Sequence, residues 1–321
     1  MAAVSELEEE LPEEKSNAAA VLAFSPVPWL AAVAERYERR EKLGEGMFRD
    51  VYKAWDRVLE RFVAVKRLSG STDDRFVATP LPDFEWEVMS LAACRGHPSV
   101  VQLLAAYADY SRADGDCFVV TEYAGPMNLR QYVRRLNGQP FDEDEVRDVM
   151  EQLLAGTSRR RRRTGTTPGP GPLASASPYR APDLFLGSKD YDGRVDTWSL
   201  GCIMAELVAG NGVPFFGAPD GEVFKKMLQR VGTEGIIEWQ GLERVVPAEK
   251  VAFLRKMVSE EGGHLQLPEV LSPAGFKVLE GLLDSNPDRR LSAAAALRKQ
   301  WFRRGCLFGA WCFMPRGDVA P

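Results

Sequence analysis

The chain has 321 residues, 45% of them hydrophobic, enough for one large or two ordinary domains with a substantial buried core. Its formal net charge of −5 excludes a protein whose main task is non-specific binding to nucleic-acid phosphates. The five cysteines are odd in number and scattered without a C-x-x-C pair, and there are only two histidines, which points to a reduced intracellular protein with no structural zinc site.

The N-terminus is acidic, with Glu6, Glu8, Glu9, Glu10, Glu13 and Glu14, the reverse of a secretory leader. The apolar stretch Ala18 to Ala34 is 17 residues long and broken by Pro26 and Pro28, too short and too interrupted to cross a membrane. Residues 1–36 therefore read as a tail that packs on the domain or stays loose. From Tyr37 to Ala124 strands predominate. Arg61 to Leu68 (RFVAVKRL) and Phe118 to Tyr123 (FVVTEY) are β-branched, apolar runs of strand length. Between them, Asp83 to Cys94 has helical spacing, with Phe84, Val88, Leu91 and Ala92 on one side and Asp83 as the expected N-cap.

After Asn128 the pattern turns helical. Leu129, Val133 and Leu136 form one set; Val146, Val149, Met150, Leu153 and Leu154 form another, behind a capping box of Asp142 and Glu145. Then the composition breaks. Thr157 to Pro178 holds five consecutive arginines, Arg159 to Arg163, followed by Gly, Pro, Thr and Ser, and no regular element is expected there. The arginine run reads as a solvated basic stretch in preference to a nuclear-import or phosphate-binding patch. Further helices are expected near Arg194–Val208, Glu222–Val231, Pro273–Leu283 and Ser292–Trp301, and no internal repeat is visible.

Leu43 to Val51 (LGEGMFRDV) places two glycines in a turn between strand candidates, where the lack of a Cβ lets backbone amides approach phosphate oxygens. A lone G-x-G is equally an ordinary hairpin turn. Val63-Ala64-Val65-Lys66 comes next, with Lys66 in mid-strand and its ammonium under the glycine turn. A lysine so placed needs an acid on the next helix. Glu87 is the choice, and Glu85, two positions away, faces another side.

In order along the chain, the glycine turn, V-A-V-K, a helix glutamate, His97-Pro98 and F-V-V-T-E-Y resemble the small lobe of a eukaryotic protein kinase. Tyr179-Arg180-Ala181-Pro182-Asp183 resembles the end of an activation segment. Asp196 to Cys202 (DTWSLGC) resembles a large-lobe helix, and Asn286 to Ser292 (NPDRRLS) a late large-lobe box. The pattern is most similar to the cyclin-dependent-kinase-like branch, the plant F type in particular. The resemblance implies an α+β, bilobal fold: a five-stranded antiparallel sheet with one helix, hinged to a helical lobe. It divides the chain into a tail (1–36), small lobe (37–124), start of the large lobe (125–156), the Arg/Gly/Pro stretch (157–178), the rest of the large lobe (179–303) and a C-terminal tail (304–321). It implies ATP binding by Leu43, Gly44, Glu45, Gly46, Met47, Phe48, Arg49, Asp50, Val51, Ala64, Lys66 and Glu87, and by the backbone near Glu122 and Ala124, with Thr121 as gatekeeper. Arg290 is expected to pair with Asp183. A protein substrate or partner is implied. A cyclin is not, because Asp83 to Val88 has nothing like the cyclin-binding helix signature, and neither nucleic acid nor a membrane enters the reading.

Two family motifs are missing. An active kinase uses H-R-D-x-x-x-x-N, for the acid that takes the substrate hydroxyl proton and a metal-holding Asn, and D-F-G, for the Asp that holds Mg2+. Neither occurs in this chain, and the interval between Leu154 and Tyr179 where both belong contains no Asp, Asn, Glu or His. Mg2+ binding is therefore doubtful on the residues. Asp114-Gly115-Asp116 reads as a solvated hairpin tip, and Asp190 and Asp192 as a surface loop. Arg49 stands at the third glycine position. Asp196, whose usual partner is the catalytic loop, is expected to be a poorly paired acid; leaving a buried charge uncompensated costs about 3–5 kcal/mol. These residues leave three functions open: a nucleotide-binding relative without catalysis, an active Ser/Thr kinase using other acids, or a nonfunctional or mispredicted product of a kinase gene.

Overall fold

The computed structural model describes residues 29–46, 49–69, 81–109, 115–135, 139–158, 178–189, 191–210, 222–249, 251–252, 254–255 and 270–303. The expectations for residues 1–28, Met47, Phe48, Leu136, the arginine run, Asp114, Asp190 and the C-terminal tail lie outside them.

Five strands form one antiparallel sheet in the order β1-β2-β3-β5-β4: β1 Tyr37–Gly46, β2 Arg49–Asp56, β3 Arg61–Leu68, β4 Leu103–Ala108 and β5 Cys117–Glu122. Side chains alternate across a strand, so each face of the sheet has its own neighbours. Ala54, Val63, Val65, Phe118 and Val120 point to one face and join Tyr37 in a buried cluster. That face is covered by a short helix preceding the sheet, α1 (Ala31–Arg36), whose Val33 is fully buried. Trp29 stacks edge-on against Tyr52 and Phe118, ring centroids 5.7 and 5.9 Å apart. Residues 29–36, read from the sequence as the end of a tail that packs on the domain or stays loose, thus pack on the sheet.

A polar clasp fixes α1 there. The Arg36 guanidinium donates to both oxygens of the buried Asp56 carboxylate at 2.9–3.2 Å. Asp56 also accepts from the amides of Val58 and Leu59. Burial alone raises the Asp56 carboxyl, but Arg36 and these amides outweigh it and hold the group below the usual carboxylate range.

The other face of the sheet meets α2 (Leu81–Ala93). Phe84 packs with Leu68, Cys117 and Val119, flanked by Val88 and Leu91. Asp83 lies in the first turn of this helix and is not its N-cap, since the helix begins two residues earlier. Asp116 overturns the solvated-tip reading: it is half-buried and forms two hydrogen bonds of 2.9 Å with the Arg67 guanidinium.

In the helical half, α3 (Leu129–Arg135) starts with reciprocal Asn128 and Gln131 bonds. α4 (Glu143–Ser158) starts with the expected box, in which Asp142 Oδ1 accepts from the Glu145 amide and Glu145 Oε2 from the Asp142 amide. It runs past Leu154 to include Thr157 and Ser158. After α5 (Pro182–Phe185), α6 (Arg194–Ala209) is buried nearly all round, with Trp198, Cys202, Met204, Ala205 and Val208 at 0% exposure. Such a helix is a lobe's central column. It ends at Gly210, where glycine is required twice over: φ is +70°, and a Cβ added there would collide with the Pro140 backbone.

Helix α7 (Val223–Val231) and two single turns, α8 (Glu234–Ile237) and α9 (Leu242–Val245), form a smaller cluster. α10 (Pro273–Leu282), α11 (Ala293–Leu297) and a 3-10 turn at Gln300–Phe302 close the lobe. Glu143 ties these ends together: its Oε1 accepts from Trp301 Nε1 and Ser272 Oγ, each at 2.6 Å, and from the Ser272 amide. Burial raises its carboxyl; the Ser272 and Trp301 donors prevail and lower it.

Asp183 and Arg290 meet inside the lobe, Nη2 to Oδ1 at 2.7 Å, both about 2% exposed. Of two other acids, Asp192 lies in a loop, as read, and Asp196 departs from its sequence reading. Asp192 accepts from the Arg194 amide at the start of α6. Asp196 is half-buried in the first turn of α6, where the helix dipole favours an acid, and it is not without a partner. The expected uncompensated buried charge at Asp196 does not arise.

Arg290→Met strands the Asp183 carboxylate in the interior and should lower unfolding free energy by about 3–5 kcal/mol; a loss below about 1 kcal/mol in urea denaturation would contradict that role. Asp56 and Glu143 both have lowered folded-state values, so their stabilisation is complete above their unfolded values near pH 4 and is lost as pH falls further. The thermal midpoint should drop steeply below about pH 4, and less steeply in the Asp56→Asn/Glu143→Gln variant; parallel declines would refute the assignment.

Candidate functional site

The β pairing builds the site row by row. Gly44 lies opposite Val51, Val51 opposite Lys66, and Lys66 opposite Val119. One pleat away, Lys53, Ala64, Thr121 and Leu103 form the next row. Both rows face α2, because Lys66 and Leu68 share a face and Leu68 packs on Phe84.

Lys66 Nζ donates to both Glu87 oxygens, at 2.6 and 2.7 Å. The two side chains are 26% and 28% exposed, so the ammonium is held at the edge of open space, not sealed in a core. Glu85 is exposed on α2 and takes no part in this pair. Behind the pair, Gly156 of α4 lies against Ser99 and Val100 after the His97-Pro98 turn, a contact between the two halves of the molecule.

The glycine turn sits above. β1 and β2 pair as far as Glu45 with Asp50 and Gly46 with Arg49, leaving Met47 and Phe48 as the connection. Among the described residues, a Cβ on Gly44 would meet nothing within 4 Å, and its backbone is not left-handed. Neither packing nor strain requires glycine there; its missing side chain preserves space. Asp50 is ion-paired to Lys42 at 3.0 Å, so it is directed along the hairpin. Leu43, Val51 and Ala64 are half-buried on the roof.

At the far edge the chain leaves β5 through Tyr123 and Ala124. The Thr121 hydroxyl donates to the Glu122 carbonyl at 3.2 Å, and the Glu122 carboxylate accepts from the Gln102 amide at 3.0 Å. The arrangement offers a cation over open space, an apolar roof, and backbone groups at the strand exit.

In the helical half, Tyr179 pins the segment after the Arg/Gly/Pro stretch. Its hydroxyl donates to Glu206 at 3.1 Å and accepts from Arg130 at 2.8 Å, while its carbonyl accepts from Ser199 at 2.8 Å. Burial and the Glu206 carboxylate raise this phenol. Sequence reading missed this network, and it missed Lys53, whose only signal was its strand parity with Val51 and Lys66. Among the described residues, no group of three or more His, Cys, Asp or Glu side chains converges as a metal site, and none of their helices is long and apolar enough to cross a membrane.

A sequence model of the protein kinase domain matches residues 37–159 and 169–302, interrupted within the Arg/Gly/Pro stretch. Over 305 residues the chain is 40% identical to a protein of Oryza sativa subsp. japonica provisionally named cyclin-dependent kinase F-2, covering 84% of this chain and 90% of that one. It is 29% identical over 318 residues to cyclin-dependent kinase G-2 of Oryza sativa subsp. indica, covering 88% of this chain and 43% of that protein. It is 30% identical over 305 residues to cell division control protein 2 homolog 3 of Trypanosoma brucei brucei, covering 84% of this chain and 92% of that one.

A pair about a quarter exposed at each end contributes little to stability. A double-mutant cycle on Lys66→Met and Glu87→Gln, read by denaturation, should give a coupling of about 1 kcal/mol or less; a coupling of several kcal/mol would make the pair a structural strut.

Proposed function

The chain belongs to the protein kinase family, cyclin-dependent-kinase-like, and from that premise we propose that it binds ATP in its small lobe without transferring phosphate by the family's usual route. The observation that carries this is the asymmetry of the site. The nucleotide half has Lys66 fixed by Glu87 beneath the clear space at Gly44. The half that should hold metal and acceptor falls in an interval with no carboxylate, amide or imidazole side chain.

Protein kinases as a family bind ATP with Mg2+ and act on protein substrates. The residues of this small lobe fit the nucleotide: Lys66 for its phosphates, Leu43, Val51 and Ala64 over the base, and the backbone at Glu122 and Ala124 along the base edge. Glu45, Gly46, Met47, Phe48, Arg49 and Asp50 complete the turn in this reading. The residues do not fit the metal, because no Asp or Asn stands where H-R-D-x-x-x-x-N and D-F-G provide them. Alignment of metal and acceptor supplies nearly all of phosphoryl-transfer catalysis, so Lys66 and Glu87 alone leave the barrier high.

The reading makes the chain an intracellular binding protein whose partner is another protein. Cyclin-dependent kinases usually bind cyclins; nothing between Asp83 and Val88 carries that over to this chain. The kinase names of its relatives favour the second reading, an active Ser/Thr kinase using other acids.

Purified protein should show a rise in thermal midpoint with millimolar ATP, lost in Lys66→Ala, because a ligand that binds only the folded state stabilises it by mass action. It should show no transfer of labelled phosphate to a generic protein substrate. No thermal shift removes the nucleotide reading; transfer that disappears in Lys66→Ala establishes the active kinase.

A further inference from the structure

Lys53 takes no part in the phosphate end of the site, yet it touches more elements there than any family motif explains. It sits on β2 in the same row as Ala64 and Thr121, facing the proposed nucleotide. Its Nζ lies 4.4 Å from the Phe62 ring centroid and 4.9 Å from that of Tyr123. The Glu41 carboxylate of β1 is 3.3 Å away. One cation thus joins β1, β2, β3 and the strand exit.

The two rings hold it by their faces, where an aromatic quadrupole attracts a cation. Phe62 is braced by an edge contact with Trp55, centroids 5.0 Å apart. The Tyr123 hydroxyl is buried and makes no hydrogen bond among the described residues, so this position uses the ring face and not the phenol. Tyr123 lies between Glu122 and Ala124, whose backbone groups are the ones assigned to the adenine edge. Holding its ring restrains the backbone that carries it, and the planar peptide groups on either side lose freedom with it.

We propose that Lys53 is a positioning residue for base recognition: clamped between Phe62 and Tyr123, it sets the strand exit at Glu122–Ala124 in the orientation that distinguishes adenine from other bases. This role rests on the ATP-binding reading above. It concerns the base edge only. The phosphates, held at the Lys66 end, are indifferent to it.

Isothermal titration of the full chain with ATP and with CTP, combined with amide hydrogen exchange, tests this. Lys53→Met should weaken ATP about fivefold, the size of a partly exposed cation–ring contact, while CTP changes by less than about twofold. Exchange at the Tyr123 and Ala124 amides should quicken without nucleotide. Tyr123→Leu should reproduce both effects. Lys53→Arg and Tyr123→Phe, which keep a cation and a ring face, should restore them. Equal weakening of ATP and CTP, or unchanged exchange at Tyr123 and Ala124, overturns the proposal. If the unaltered chain binds no nucleotide, the ATP-binding reading falls, and the exchange result still decides whether Lys53 holds the strand exit.

Discussion

A guanidinium shut away from water must find every partner within the chain, and Arg290 does so at the junction of several segments. Its Nη2 meets Asp183 and the Ser285 carbonyl, Nε the Asp284 carbonyl and Nη1 the Arg194 carbonyl, with the Trp198 ring 5.1 Å beneath. The start of α5, the start of α6 and the turn after α10 are therefore bound to one charge. Among the described residues, these partners lie outside the Arg/Gly/Pro stretch. The large-lobe core of α4, α6, α10 and α11 closes around Trp198, Met204 and Leu279.

The two halves of the proposed site depend on different parts of the chain. Lys66, Glu87 and Gly44 are placed by sheet pairing and by α2 packing on Leu68 and Val119, all upstream of the interruption. In the proposed reading, the residues that would face an acceptor fall in the Arg/Gly/Pro stretch. The segment beyond it is anchored by Tyr179 between Arg130 and Glu206, a contact between ordered elements on either side. In the proposed reading, the nucleotide-facing residues rest on elements that precede the Arg/Gly/Pro stretch.

Much of the fold and of the proposed nucleotide half of the site is legible from local rules. Strand alternation places Ala64 and Lys66 on one face; helical spacing separates Glu87 from Glu85; the Asp142–Glu145 box marks the start of α4. Local rules fail where a partner is distant in sequence. Asp116 resembles a turn residue until Arg67, 49 positions away, is brought alongside. Asp83 has a capping side chain, yet the helix extends past it because packing of Phe84, not the cap, locates α2. Lys53 and Tyr123 are far apart in sequence, and nothing in either neighbourhood announces their contact. For residues 29–36 sequence reading leaves packing on the domain and a loose tail both open for a related reason: the 6 residues of α1 are too few to show a helical period, and their burial comes from a sheet that lies after them.

That last element bears on how the protein is handled. The kinase-domain match begins at Tyr37, the natural place to cut an expression fragment. A fragment so cut loses Trp29 and Val33 and bares Ala54, Val63, Val65, Phe118 and Val120, a contiguous strip of mostly β-branched and aromatic side chains. An uncovered strip of that kind is an adhesive surface, prone to self-association in solution. It also frees Asp56 from Arg36, leaving a carboxylate beside the exposed strip. The working boundary of the domain is therefore set by the cover over its sheet, several residues upstream of where family resemblance starts.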